Sequence, residues 1–188
     1  MIRVNLMSDK QQKLNVKKRL MFNKEEDYYF ITYNVLVFLN TLGCTSEKKK
    51  FTDYTKLAYI VPFVSNNGLL DIVLKYNQWE RQPSKEETEI LRDTYIKSRL
   101  RLKLLTSIFF ALEHNQIIGL KKNERRSSID IWINKENIPK NFLDSPIFKI
   151  EMENSLRIKN EFPYLKTWAV KTLLDNLFSS KGVRVWEA

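Results

Sequence analysis

The sequence predicts a mainly α (α+β) fold: a helical domain carrying a winged-helix-like β-hairpin and a C-terminal helical extension. Three observations predict it. First, the stretch from Glu87 to Ile133 opens with a basic amphipathic run. Its apolar residues Ile90, Leu91, Tyr95, Leu102, Leu105, Ile108, Phe109 and Leu112 recur close to the three-and-four spacing of a buried helical face. Second, the run passes through QIIGLKK, turns at NERRS and continues as SSIDIWI. Two β-branched and aromatic arms around a polar tip are a hairpin pattern. Third, only four glycines and five prolines occur in 188 residues, which disfavours β-sandwiches and glycine-loop nucleotide sites. With 43% apolar and 12% aromatic residues, the chain has the composition of a folded core.

Taken in order, residues 1–24 form a lysine-rich arm without strong periodicity, and residues 25–188 form one domain. Glu25 to Leu42 is the first helix: Asn23 can cap it, and Glu25, Glu26 and Asp27 sit in its first turn, where the helix dipole favours anions. Tyr29, Phe30, Tyr33, Val35, Val37, Phe38 and Leu42 surround it, so it belongs at the centre, and Gly43 can close it in a left-handed conformation. The polar loop CTSEKKK follows. Thr52 or Asp53 then caps a helix through YTKLAYIVPFVSN that Pro62 bends or shortens. Asn66, Asn67 and Gly68 mark a turn, and GLLDIVLKYN reads as a further helix with a strand as the alternative. Trp79 to Ser84 is a linker, and Ser84 with Glu87 makes a capping box for one long helix. Beyond the hairpin, a helix spans Ile147 to Asn160 and another Phe162 to Ser179, with Pro163 in its first turn and Gly182 at its end. The tail VRVWEA is an edge strand or free.

A net charge of +10 supports attraction to nucleic acid, anionic membrane or an acidic protein, without choosing among them. Lys97, Arg99, Arg101 and Lys103 alternate along the long helix, and Lys121, Lys122, Arg125 and Arg126 cluster at the hairpin tip. Together they could straddle a phosphate backbone; a pair of solvated faces is the plainer explanation. No base-reading pattern accompanies them, so any binding of double-stranded DNA should be non-specific and steeply salt-dependent. Trp168 and Trp186 lie in a C-terminal region rich in large apolar residues. They are candidate partner anchors, with packing against their own domain as the alternative.

Residues for chemistry are few. His114 is the only histidine, placed where a helix C-terminus stabilises it, and with Cys44 it supplies too few ligands for a metal centre. No GxxxxGK[ST] or GxGxxG motif is present to cradle a phosphate. A carboxylate nuclease needs acids and a lysine on adjacent strands, whereas Asp130 has no such companion and Glu47-Lys48-Lys49 falls in a loop. The expectation is no enzyme, no metal and no cofactor. No apolar run approaches the roughly 18 residues of a membrane span, and the N-terminus lacks the apolar core of a secretory signal. With one cysteine, the expected compartment is the cytoplasm, without membrane contact.

The order of elements, YFITYNVLVFLNTLG, then FTDYTKLAYIVPFV, a basic helix ending LLTSIFFALEHNQIIGL, a short hairpin and EFPYLKTWAVKTLLDNLF, resembles the middle component of ABC-three component systems. That small subunit is encoded beside an SMC-like ATPase in Lamassu-type defence operons. The resemblance covers about Glu25 to Phe178, and its clearest elements are Lys56 to Pro62 and Leu104 to Leu120, with Gly119 entering the hairpin. It implies a non-enzymatic accessory subunit in bacterial anti-phage and anti-plasmid defence. Its partners would be the SMC-like ATPase, DNA and an effector nuclease subunit. No catalytic residue belongs to the family pattern, and none is carried over. A free-standing winged-helix DNA-binding regulator is the alternative. Purified chain is expected to turn over neither ATP nor plasmid DNA with Mg²⁺ or Mn²⁺. Turnover that disappears on replacing Asp130 or Glu47 would overturn that expectation.

Overall fold

The computed structural model describes residues 28–77, 82–139, 141–143 and 145–186. The basic arm, the Asn23 cap with its acidic first turn, and Trp79 lie outside them. The described residues form seven α-helices and one two-stranded antiparallel sheet, a mainly helical α+β fold.

Helices α1 (Tyr28–Thr41) and α2 (Lys56–Ser65) make the centre. Both are rich in β-branched and aromatic residues, poor helix formers alone, so tertiary burial holds them helical. From Tyr33 to Leu39 every α1 residue is buried, as is every α2 residue from Lys56 to Val64. Gly43 ends α1 at φ 71, a left-handed conformation that costs glycine little. Helix α2 tolerates Pro62 within it but stops at Ser65, and α3 (Asn67–Asn77) leaves at 108°, its first turn capped by Asn66 Oδ1 on Leu69 N at 3.1 Å. No single described helix is long and apolar enough to cross a membrane.

The expected long helix is two: α4 (Lys85–Leu100) and α5 (Leu102–His114), interrupted at Arg101. The spacing 91, 95, 98, 102, 105, 109, 112 runs through the interruption, which no Pro or Gly announces, so periodicity reads it as continuous. The capping box is formed: Glu87 N donates to Ser84 Oγ and Ser84 N to Glu87 Oε2, at 3.2 and 2.9 Å. That backbone bond, with the Tyr76 hydroxyl, holds the Glu87 carboxyl down at about 2.

After the hairpin of β1 (Ile118–Asn123) and β2 (Ser128–Ile133), helix α6 (Lys149–Glu161) packs against α1 and α2. The expected helix from Phe162 to Ser179 is shorter, α7 (Val170–Leu177), and Pro163 precedes it within a turn. The cause is Lys56. Its ammonium, fully buried at the start of α2, donates to the carbonyls of Leu165, Lys166 and Trp168 at 3.0, 3.1 and 2.9 Å. Carbonyls aimed at an ammonium are unavailable to the next helical turn. Thr52 N and Oγ1 also donate to the Lys166 carbonyl, at 3.0 and 2.6 Å. Thr52 is therefore not a helix cap. Nor does Asp53 cap α2: at φ 60 its carboxylate holds the turn before the helix, accepting from Thr55 N at 3.1 Å and Thr55 Oγ1 at 2.6 Å, and Thr55, the N-cap residue, makes no side-chain cap bond. The tail forms no strand among the described residues. It is clasped instead: Tyr95 Oη donates to the Trp186 carbonyl at 2.8 Å and accepts from Trp186 N at 3.1 Å.

Burial pushes the Lys56 amine down to about 7, against the pull of Asp53. Between about 7 and its ordinary 10.5, the unfolded chain therefore binds more protons than the native one, and stability rises with pH through that window. Lys56→Met removes the titration and leaves three carbonyls unsatisfied, so it should cost about 3 kcal/mol at neutral pH. Urea melts of both proteins should diverge further from pH 7 to pH 10. A constant gap would mean that Lys56 does not titrate in that range.

Candidate functional site

The hairpin pairs Ile118 with Ile133, Gly119 with Trp132, Leu120 with Ile131, Lys121 with Asp130, Lys122 with Ile129 and Asn123 with Ser128. Alternation puts Ile118, Leu120 and Lys122 on one face with Ile129, Ile131 and Ile133, and the other residues on the opposite face. At Gly119 a Cβ would lie 2.2 Å from the Trp132 ring, so only glycine lets the indole lie across β1. The turn Glu124 to Ser127 closes with Ser127 at φ 50 and Asn123 Oδ1 accepting from Arg125 N at 3.1 Å.

A third segment runs along β2. Phe51 and Ile131 exchange main-chain bonds of 2.8 and 2.9 Å, Ile133 N donates to the Cys44 carbonyl and Tyr54 N to that of Ile129, both at 2.9 Å. Strand β2 is thus the inner strand and β1 an edge. Asp130 locks the segment to the hairpin: fully buried, it accepts from Asp53 N at 3.1 Å and Asn123 Nδ2 at 2.9 Å, and meets Lys50 Nζ at 2.8 Å. These three partners tie the buried carboxylate to the loop and to the other arm of the hairpin.

This architecture gathers cations from three distant stretches. Lys121 pairs with Glu47 of the lysine loop, and Arg126 donates to the Thr167 carbonyl at 2.8 Å, beside Lys166. Lys122 and Arg125 point into solvent, as do Lys48 and Lys49 on the loop. The loop lysines are the residues that sequence reasoning misses. Three consecutive lysines are visible in the sequence, whereas the pairing that lays the loop along the hairpin is not.

The four cations of α4 and α5 are separated. Lys97 pairs with Asp93 at 2.7 Å and, with Arg101, lines a cleft of about 730 Å³ against α3. Arg99 turns to the tail, donating to the Trp186 carbonyl at 2.9 Å and Tyr95 Oη at 3.3 Å. Lys103 is exposed on α5. Trp168 is half-buried, edge-on to Phe162 at 5.5 Å, and belongs to its own core. Trp186 remains 52% exposed although its ring meets Tyr95 edge-on at 5.5 Å.

Burial pushes the Cys44 thiol up to about 11, so it is protonated and enclosed at neutral pH. His114 lies exposed in the last turn of α5. Among the described residues, no three His, Cys, Asp or Glu side chains are grouped to hold a metal ion. No family model matches the chain, and no curated protein or solved structure matches it significantly.

If Asp130 fixes the hairpin, Asp130→Ala strands the Lys50 ammonium, the Asn123 amide and the Asp53 N–H together. Urea unfolding should report a destabilisation of roughly 3 kcal/mol. A value under about 0.5 kcal/mol, the range of ordinary surface changes, would show the hairpin to be held by its main-chain bonds alone.

Proposed function

We propose that the chain is a non-catalytic accessory subunit that offers a basic face to the phosphates of double-stranded DNA. The carrying observation is the convergence of the lysine loop, the hairpin tip and the 164–168 turn on one edge of the fold. Rigid bonds join them: Asp130 with Lys50 and Asn123, Phe51 with Ile131, Arg126 with the Thr167 carbonyl. Cations held on a stiff frame bind a polyanion without first losing backbone freedom. Point charges on flexible stems neutralise phosphates without reading bases, which fits non-specific binding.

The resemblance to the middle component of ABC-three component systems supplies the setting. In it, this subunit sits beside an SMC-like ATPase and couples DNA engagement to an effector nuclease in anti-phage or anti-plasmid defence. The half-exposed Trp186, at the far end of α4 from its capping box, is the aromatic surface offered to such a partner.

The test replaces Lys48, Lys49, Lys122 and Arg125 together with Gln. All four are exposed and make no ion pair or hydrogen bond through their side chains, so unfolding stability should move by no more than about 0.5 kcal/mol each. Binding of the full chain to a random-sequence duplex, measured across a salt series, should weaken. The slope of log affinity against log salt should shrink by roughly one for each phosphate that the variant no longer neutralises. Superimposable lines for wild type and variant would remove DNA from this face.

A further inference from the structure

The turn that receives Lys56 also carries an aromatic ring into solvent. Thr167 N and Oγ1 both donate to the Tyr164 carbonyl, at 3.0 and 3.1 Å, and close the turn. The next two carbonyls, of Leu165 and Lys166, point inward to the buried ammonium. The main chain at Tyr164 is therefore fixed, while its side chain is 73% exposed. Among the described residues its ring meets no other ring and its hydroxyl makes no hydrogen bond.

A lone exposed aromatic is ordinary on a protein surface. This one stands among cations, on the face assigned to DNA. Arg126 of the hairpin donates to the Thr167 carbonyl at 2.8 Å, within the same turn. The charge of Lys166 reaches the Cys44 thiol at the root of the lysine loop. Thr52, which follows that loop, holds the Lys166 carbonyl through both N and Oγ1. No acid occurs between Glu161 and Asp175 to offset these charges.

Inside a duplex each base is covered by its neighbours in the stack. A protein ring can stack only on a base whose face is open, as in a single-stranded stretch. Stacking asks for a π-face and for no particular base, so it adds to non-specific binding without reading sequence. A ring held on a stiff basic surface loses little freedom when it stacks.

We propose that Tyr164 is a stacking platform for an unpaired base, so that the basic face takes DNA interrupted by a single-stranded stretch in preference to unbroken duplex. The proposal rests on the assignment of that face to DNA. Arg126 and Lys166 hold the phosphates beside the unpaired nucleotide, and the Tyr164 ring covers its base.

The probe is a random-sequence duplex containing a short single-stranded gap, compared with the unbroken duplex of equal length. Each is titrated with the full chain and followed by anisotropy. The gapped duplex should bind at least about fivefold more tightly. Tyr164→Ala should bring it down to the affinity of the unbroken duplex, whose own affinity and salt slope stay unchanged. Tyr164→Phe keeps the ring and should keep the preference, whereas Tyr164→Leu keeps apolar bulk and should lose most of it. The turn bonds use the main chain of Tyr164 and leave its ring out, so urea melts of all three variants should overlay that of the wild type. Equal binding of gapped and unbroken duplex by the wild type overturns the stacking and leaves the basic face standing. Binding to neither removes DNA from the face, and the stacking with it. A preference that survives in Tyr164→Ala, or that is lost in Tyr164→Phe, also overturns the proposal.

Discussion

A single buried ammonium sits where three parts of this chain meet. Lys56 opens the central helix α2, faces the Phe51 ring at 4.3 Å, and takes its acceptors from a turn more than a hundred residues later in the chain. An ammonium has three N–H donors, and three carbonyls surround it at hydrogen-bonding distance. Such a site tolerates a charge only if all the acceptors stay in place, because an unpartnered buried cation costs several kcal/mol. The turn therefore cannot move without uncovering the charge. The Lys166 carbonyl serves Lys56 and Thr52 at once, and Thr167 next to it receives Arg126. The hairpin, the lysine loop and the C-terminal helices thus acquire their relative positions from one node.

Asp130 does for the hairpin what Lys56 does for the turn, by the opposite charge. Its carboxylate reaches the loop through Lys50 and the Asp53 amide, and its own strand neighbour through Asn123. The two buried charges lie close enough to feel one another, since Asp130 raises the proton affinity of Lys56 while Arg126 lowers it. A polar seam of this kind fixes register where apolar packing alone would permit sliding. It also divides the hairpin: Lys121 lies with Asp130 on the side toward the lysine loop, and Lys122 lies with the apolar side chains of Leu120 and Ile129 on the side toward α5.

The helical class, the all-round burial of α1, the Ser84–Glu87 capping box and the hairpin with its basic tip were legible in the sequence. Each rests on interactions within a few residues of chain or on a period that survives folding. What escaped has a common cause. The interruption at Arg101 leaves the apolar spacing undisturbed, so periodicity cannot register it. The shortened α7 is dictated by Lys56, far away in sequence, which diverts carbonyls that local propensity would assign to a helix. The membership of Lys48 and Lys49 in the basic face depends on the Glu47–Lys121 pair between the loop and β1. Arg99, one of four cations that read alike in the sequence, is committed to the tail by Trp186 and Tyr95.

The separation of 109 to 112 residues between Lys56 and its acceptors bears on how the chain is made. During synthesis α1 and α2 emerge early, rich in apolar surface and with the ammonium of Lys56 bare. The turn that receives it leaves the ribosome only after the hairpin and α6 have appeared. Contacts of such sequence separation come late because the closing of a long loop precedes any gain from them. A nascent chain stopped before Leu165 would hold two of the most apolar described helices without the carbonyls that receive the Lys56 ammonium. Chaperones that bind exposed apolar segments should find their main target on α1 and α2 during that interval.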